Sequence, residues 1–244
     1  MNQTASTTRR IKLWDAPTRL FHWGLVAAVS TALATGLTGG SWMELHGKAG
    51  LAIGGLLVFR LVWGFAGNRQ ARFASFVPTP SSLRAYLRGQ WRGVGHNPLG
   101  ALSVLALLSL LSLQLSTGVF GNDEIAFTGP LAVHVSESLS LWLTGWHHRF
   151  ANLLYLLLGL HVAAIAFYRL VKKDDLVKPM VTGYKEVPNT QELNDSPPAV
   201  WWALPLALVL AVVAVLFLSG VLLPAEPPPA VAAPAAQSPA KPAW

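Results

Sequence analysis

Residues 146–168 read WHHRFANLLYLLLGLHVAAIAFY, a nearly uncharged apolar run with His147 at its start and His161 fourteen residues later. In an α-helix fourteen residues return to within about 40° of the same face and rise about 21 Å, most of the roughly 30 Å hydrocarbon thickness of a bilayer. One helix therefore carries an imidazole near each membrane surface, both on one side. A histidine inside a membrane is costly without a partner, and neutral imidazole is a common metal ligand, so the pair points to two stacked metal or cofactor sites. The alternative is a pair of histidines hydrogen-bonded between helices, and the remaining helices decide between them.

The whole chain supports a membrane setting. Its 244 residues are 52% hydrophobic and 12% charged, with a mean hydropathy of +0.44. Apolar segments at 20–40, 46–66, 99–120, 141–168 and 200–223 predict five spans. With the N-terminus taken as cytoplasmic, the inner side receives Arg9, Arg10, Lys12, Arg19, the five arginines from Arg69 to Arg92, and Arg169, Lys172, Lys173, Lys178 and Lys185. The outer side keeps Lys48, Arg149 and Lys241, so the basic residues fix the orientation. The net charge of +7 is explained by this topology and by anionic lipid, and needs no nucleic-acid partner. The basic start followed by Ala32-Leu33-Ala34 has the outline of a cleavable signal, but the apolar run is long enough to span and opens with a His-Trp pair. Cysteine is absent, so a haem here would be held by histidine alone.

Residues 1–12 are polar and expected to be loose. In the first span Pro17 suits a helix start, and His22 enters about one turn inside the cytoplasmic surface. Fourteen residues on, Gly36 leaves its face bare at the outer level. The second span mirrors this: His46 lies at the outer end, with Gly50 and Gly54 along its stripe, bare enough for a flat macrocycle or for close helix packing. Fourteen residues after His46 comes Arg60, near the inner level, where a haem propionate would satisfy it and snorkelling is the alternative.

A cytoplasmic loop, 67–98, predicts a surface helix over 81–92 with Leu83, Tyr86, Leu87 and Trp91 facing lipid. His96 and Asn97 open the third span on the side of His22 and His161, which makes them quinone candidates, although a solvated loop histidine is the plainer reading. Gln114 and Gly118 on that span read as scaffold or cofactor wall. The outer loop 121–140 has Asp123, Glu124 and Glu137 without a basic residue, which the positive-inside bias alone explains and which would also suit a basic electron carrier; His134 within it reads as non-ligating. A cytoplasmic connector, 171–199, offers Asn194, Asp195 or Ser196 as caps for the fifth span, 200–223, which has no ionisable residue and should pack outside the core. The tail, 224–244, is Pro/Ala-rich and expected to be extended outside.

Sorted by depth, His22 and His161 lie inside, and His46 and His147 outside. Each pair could clamp one iron from both axial sides. His148 competes with His147, but it lies thirteen residues from His161 and misses its face by about 140°, against about 40° for His147. With Trp14-Asp15 through Arg19, Phe21-His22-Trp23, His46-Gly47 with Gly50, Arg60 with Trp63-Gly64-Phe65, Gly95 to Gly100, Thr117-Gly118 and Asn152-Leu153-Leu154 before His161, residues 12–170 resemble the prokaryotic cytochrome b561 family. That family includes the b-type cytochrome subunits of nickel-iron hydrogenases.

The resemblance implies an all-α transmembrane bundle in which a four-helix core, 13–170, holds two non-covalent b haems on His22, His46, His147 and His161. It implies electron relay between the quinone pool and a c-type cytochrome, dehydrogenase or hydrogenase outside a bacterial inner membrane. The family ligand stands five residues before the asparagine, here Asn152, which again selects His147. The fifth span and the tail lie outside the resemblance. A histidine-lined transporter of transition metal or protons is the competing class, and it would want carboxylates or amides beside the histidines.

Overall fold

Side-chain caps start three of the four long helices, two of them with a proline in the first turn, in the computed structural model, which describes residues 8–189 and 199–224. Helix α1, Ala16–Thr38, opens where the Asp15 carboxylate accepts from Thr18 N at 2.8 Å, and it closes on Gly39. Gly39 and Gly40 have φ of 68° and 57°, a left-handed pair that turns the chain sharply into α2, Met43–Ala66. Short helices α3, Phe73–Phe76, and α4, Pro80–Leu87, follow on the inner side. Asn97 caps α5, Pro98–Val119, through Gly100 N at 2.8 Å, and Ser136 caps α6, Glu137–Leu170.

Among the described residues, four helices are long and apolar enough to cross a membrane, namely α1, α2 with its preceding turn, α5 and α6. The fifth expected span is shorter than its apolar stretch. Helix α8, Ala203–Leu218, has 16 residues, about 24 Å against the roughly 30 Å of the hydrocarbon core, because turns take up both ends of the run. It packs on α2, with Ala203 and Ala207 fully buried and its remaining faces largely exposed. A Cβ on Gly55 would sit 2.8 Å from Val215 Cγ2, so this glycine is what lets α8 approach. The caps expected at Asn194, Asp195 or Ser196, and the tail after Pro224, lie outside the described residues.

Two expectations for the basic end of the bundle, where α1 begins, are corrected. The N-terminal segment is ordered from Thr8: strand β1, Thr8–Lys12, pairs antiparallel with β2, Tyr184–Pro188, placing Arg10 opposite Glu186. Between α6 and β2 the connector forms α7, Val177–Thr182, and the Gly183 carbonyl accepts from Leu13 N and Trp14 N. The surface helix is also shorter than 81–92, ending at Leu87 ahead of Gly89, whose φ is 69°. Tyr86 does not simply face lipid, because its hydroxyl lies 2.5 Å from that of Tyr168 at the inner end of α6.

Packing runs from α1 to α2, from α2 to α5 and from α5 to α6, while α1 and α6 make no extended contact among the described residues. What joins all four is one apolar layer at mid-depth. Val29, Ile53 and Leu154 are buried together with Leu110 and Leu111, and each of the first three stands seven residues from a ligand candidate, His22, His46 and His147 respectively. Two turns of helix advance about 10 Å and rotate by only about 20°, so the apolar layer lies between the histidine levels on the same faces. Leu154 is 2% exposed. Leu154→Ala should cost about 2 kcal/mol or more through lost packing, read as a lower unfolding temperature in detergent. Leu160→Ala, at a position 58% exposed, should leave that temperature unchanged.

Candidate cofactor site

At the outer level His46 on α2 and His147 on α6 meet with ring centroids 6.0 Å apart and planes at 76°. Each ring is held in the same way. His46 Nδ1 lies 2.8 Å from the Ala32 carbonyl of α1, and His147 Nδ1 lies 3.0 Å from the Gln114 carbonyl of α5. A carbonyl can only accept, so both Nδ1 atoms carry the proton and both Nε2 atoms keep a lone pair. That is the tautomer a metal-binding imidazole needs. The Gln114 side-chain nitrogen stands 3.0 Å from His147 Nε2 and donates to that lone pair, while its Oε1 is buried without a partner. Gln114 also lines the cavity beside the pair, which suits the cofactor-wall reading of α5.

The pair borders a cavity of about 360 Å³, within the range of small-molecule sites. Gly36, Gly50, Gly118 and His148 also line it. Added Cβ atoms explain the small residues. One on Gly36 would come 3.0 Å from His46 Nδ1, and one on Gly118 2.9 Å from His147 Cε1, whereas one on Gly50 would meet nothing. Gly36 and Gly118 thus seat the imidazoles, and Gly50 leaves the wall open. Gly54 is different: its Cβ would meet Leu218 at 2.6 Å and Leu115 at 3.2 Å, so it serves packing of α2 against α8 and α5, outside the cavity lining. His148 is exposed, with its ring 6.3 Å from that of His147. His134 is exposed in the outer loop and does not line this cavity.

At the inner level His22 on α1 and His161 on α6 are half-buried and within electrostatic range of each other. His22 Nδ1 is buried without a hydrogen-bond partner, so the inner pair lacks the carbonyl support of the outer pair. His96 lies between the rings of Trp14, at 4.7 Å, and Phe76, at 4.8 Å. Burial, then the charges of Arg60, His161 and His22, push its pKa down to about 4, which leaves it neutral at neutral pH. Asn97 has both ends of its amide engaged, Oδ1 with Gly100 N and Nδ2 with the Tyr168 hydroxyl at 2.7 Å.

Arg60 is buried, with Cζ 4.6 Å from the centroid of Phe73 and 5.8 Å from that of Phe76. Nearby, Trp63 Nε1 donates to Asp15 Oδ2 at 3.1 Å, tying the start of α1 to the end of α2. Reading the sequence did not find the Asp15–Trp63 bond or the two carbonyls that orient the outer histidines. Residue type carries no signal for a backbone acceptor; Gln114, an amide inside a span, was the visible clue.

Among the described residues, four membrane-length helices, with histidines grouped at two depths and a glycine-walled cavity at the outer one, define a multi-pass membrane protein. The model of one family, described as prokaryotic cytochrome b561, matches residues 13–183, and the chain belongs to that family. It is therefore a membrane b-type cytochrome, an electron-transport protein, and its family implies haem b. Similar curated proteins include the "Probable Ni/Fe-hydrogenase 1 B-type cytochrome subunit" of Escherichia coli (strain K12), 20% identical over 76% of this chain and 94% of that protein. The "Probable Ni/Fe-hydrogenase B-type cytochrome subunit" of Azotobacter chroococcum mcd 1 is 26% identical over 72% and 88%. Its namesake from Rhodobacter capsulatus is 21% identical over 72% and 81%. No solved structure matches the chain.

Proposed function

We propose that the chain carries two b haems, the outer on His46 and His147 and the inner on His22 and His161, and relays electrons across the membrane. The observation that carries this reading is the matched tautomer of the outer pair, each Nδ1 on a backbone carbonyl and each Nε2 left as an acceptor beside a glycine-walled cavity, with only the Gln114 amide on that of His147. Haem, when bound, supplies reversible one-electron exchange. The protein's part is to fix the imidazoles, to exclude water with the Val29–Ile53–Leu154 layer, and to set the distance between the levels. Arg60, at the inner level, is a candidate either for a propionate of the inner haem or for an acceptor that enters its own pocket from lipid.

Electrons pass, on this proposal, between the membrane quinone pool on the inner side and a redox partner on the outer, periplasmic side. A nickel-iron hydrogenase is the first choice, because the similar proteins are named as its cytochrome subunits; a c-type cytochrome or another dehydrogenase is the second. The chain sits, on this proposal, in a bacterial inner membrane with its N-terminus cytoplasmic and its C-terminus periplasmic, a placement that the distribution of basic residues supports. Quinone approaches the inner haem near His96 and Asn97. A transporter is less well supported, since among the described residues no three His, Cys, Asp or Glu side chains converge to hold an ion.

The test is addition of a short-chain quinol to purified, oxidised protein in detergent. The b-type visible bands should rise to the amplitude that dithionite gives. Bands that dithionite develops and quinol leaves oxidised would end the quinone link while leaving the haems in place.

A further inference from the structure

A second cavity, of about 150 Å³, lies between α2 and α5, lined by Leu57, Arg60, Leu61, Phe73, Ser109 and Ser112 among others. No residue of α1 or α6 contributes to it. Leu61 is 53% exposed, and Ser109 and Ser112 are exposed as well, so its mouth opens on the lipid-facing surface. Its floor is Arg60, only 4% exposed, whose Nη1 is buried without a hydrogen-bond partner. The nearby Asp15 carboxylate does not satisfy it, being engaged by Thr18 N and Trp63 Nε1. Among the described residues no carboxylate comes within ion-pair distance of Arg60.

A guanidinium held by packing on Phe73, with a donor directed at no protein acceptor, is a site for an oxygen acceptor that arrives from outside the fold. Depth selects which. Arg60 lies six residues from the inner end of α2, about 9 Å in, and Ser109 and Ser112 lie about 16 and 21 Å from the start of α5. A phospholipid phosphate stays at the membrane surface, too shallow for this pocket. An apolar planar ring bearing carbonyl oxygens, carried on a lipid-soluble tail, matches the volume, the aromatic wall of Phe73, the donor and the open side.

We infer that the Arg60 pocket binds the head ring of the membrane quinone, with a ring carbonyl accepting from the guanidinium and the tail leaving past Leu61 and Ser109 into lipid. The inference rests on the quinone-linked reading above and moves the contact from His96 and Asn97 to Arg60. His96 is closed in by Trp14 and Phe76, and the Asn97 amide is spent. The pocket still adjoins the inner level, since the Phe76 ring lies beside both Arg60 and His96.

The test uses the full chain in phospholipid vesicles with an azido-quinone bearing an isoprenoid tail, photolysed and mapped by mass spectrometry. Label is expected in 57–61 and 105–112, chased by unlabelled quinone. Ser109→Trp, which fills the mouth from an exposed position, should abolish the label and slow quinol-driven haem reduction at least tenfold, while dithionite still develops the full bands. Ser116→Trp, two turns outward on the same face, should change neither. Label confined to 91–98, label chased by anionic phospholipid and not by quinone, or unaltered quinol reduction in Ser109→Trp would each overturn the site. Failure of quinol to reduce the unmodified protein would instead count against the quinone reading itself, and failure of dithionite to develop bands against the haems.

Discussion

Replacing His147 by alanine should strip the outer haem and leave the inner, so that haem content falls from about two per chain to about one. Replacing His148 should leave both. The two residues are neighbours on α6, but about 100° of helix rotation separates them, and only one can meet His46. His147 is that one: its ring lies 6.0 Å from that of His46, and Nδ1 is held 3.0 Å from the Gln114 carbonyl. His148 is exposed, lines the cavity from its edge, and is free to face water or a propionate. Its removal should at most shift the outer potential. A spectrum in which His148→Ala loses a haem and His147→Ala keeps it would reverse the assignment without touching the two-level arrangement.

The complementary result is expected at the inner level. His22→Ala or His161→Ala should remove the proposed inner haem and spare the outer, because one remaining imidazole would not hold the group. The mid-depth layer makes this separation of effects possible. Val29, Ile53, Leu110, Leu111 and Leu154 pack all four helices together between the levels, so an emptied inner site need not disturb His46 and His147. Reduced-minus-oxidised spectra of the four single variants, normalised to protein, check it. Loss of both haems from every variant would mean that the histidines hold the bundle together and that the pairing is unsupported.

Much of this was legible in the sequence because a seven-residue spacing in a helix keeps one face. His22, Val29 and Gly36, then His46, Ile53 and Arg60, then His147, Leu154 and His161 repeat the same interval on three helices, and the structure stacks them as three layers. What was not legible depends on contacts between distant segments. The β1–β2 ribbon joins Thr8–Lys12 to residues more than 170 positions away, and neither short charged strand announces its partner. Gly54 shares the stripe of His46, so spacing alone left it between cofactor and helix packing; the approach of Leu218 on α8 favours packing. Likewise, the outward opening of the pocket around Arg60 is set by where α3 brings Phe73.

The central claim is that one chain holds two haems through four histidines. It is tested most directly by purifying the full protein, reducing it with dithionite, and measuring haem b against protein by the pyridine haemochrome. The account predicts b-type bands at about two haems per chain, falling to about one in His147→Ala. A ratio near one in the unaltered protein, or b-type bands that survive in full when His46 and His147 are both replaced, would contradict it.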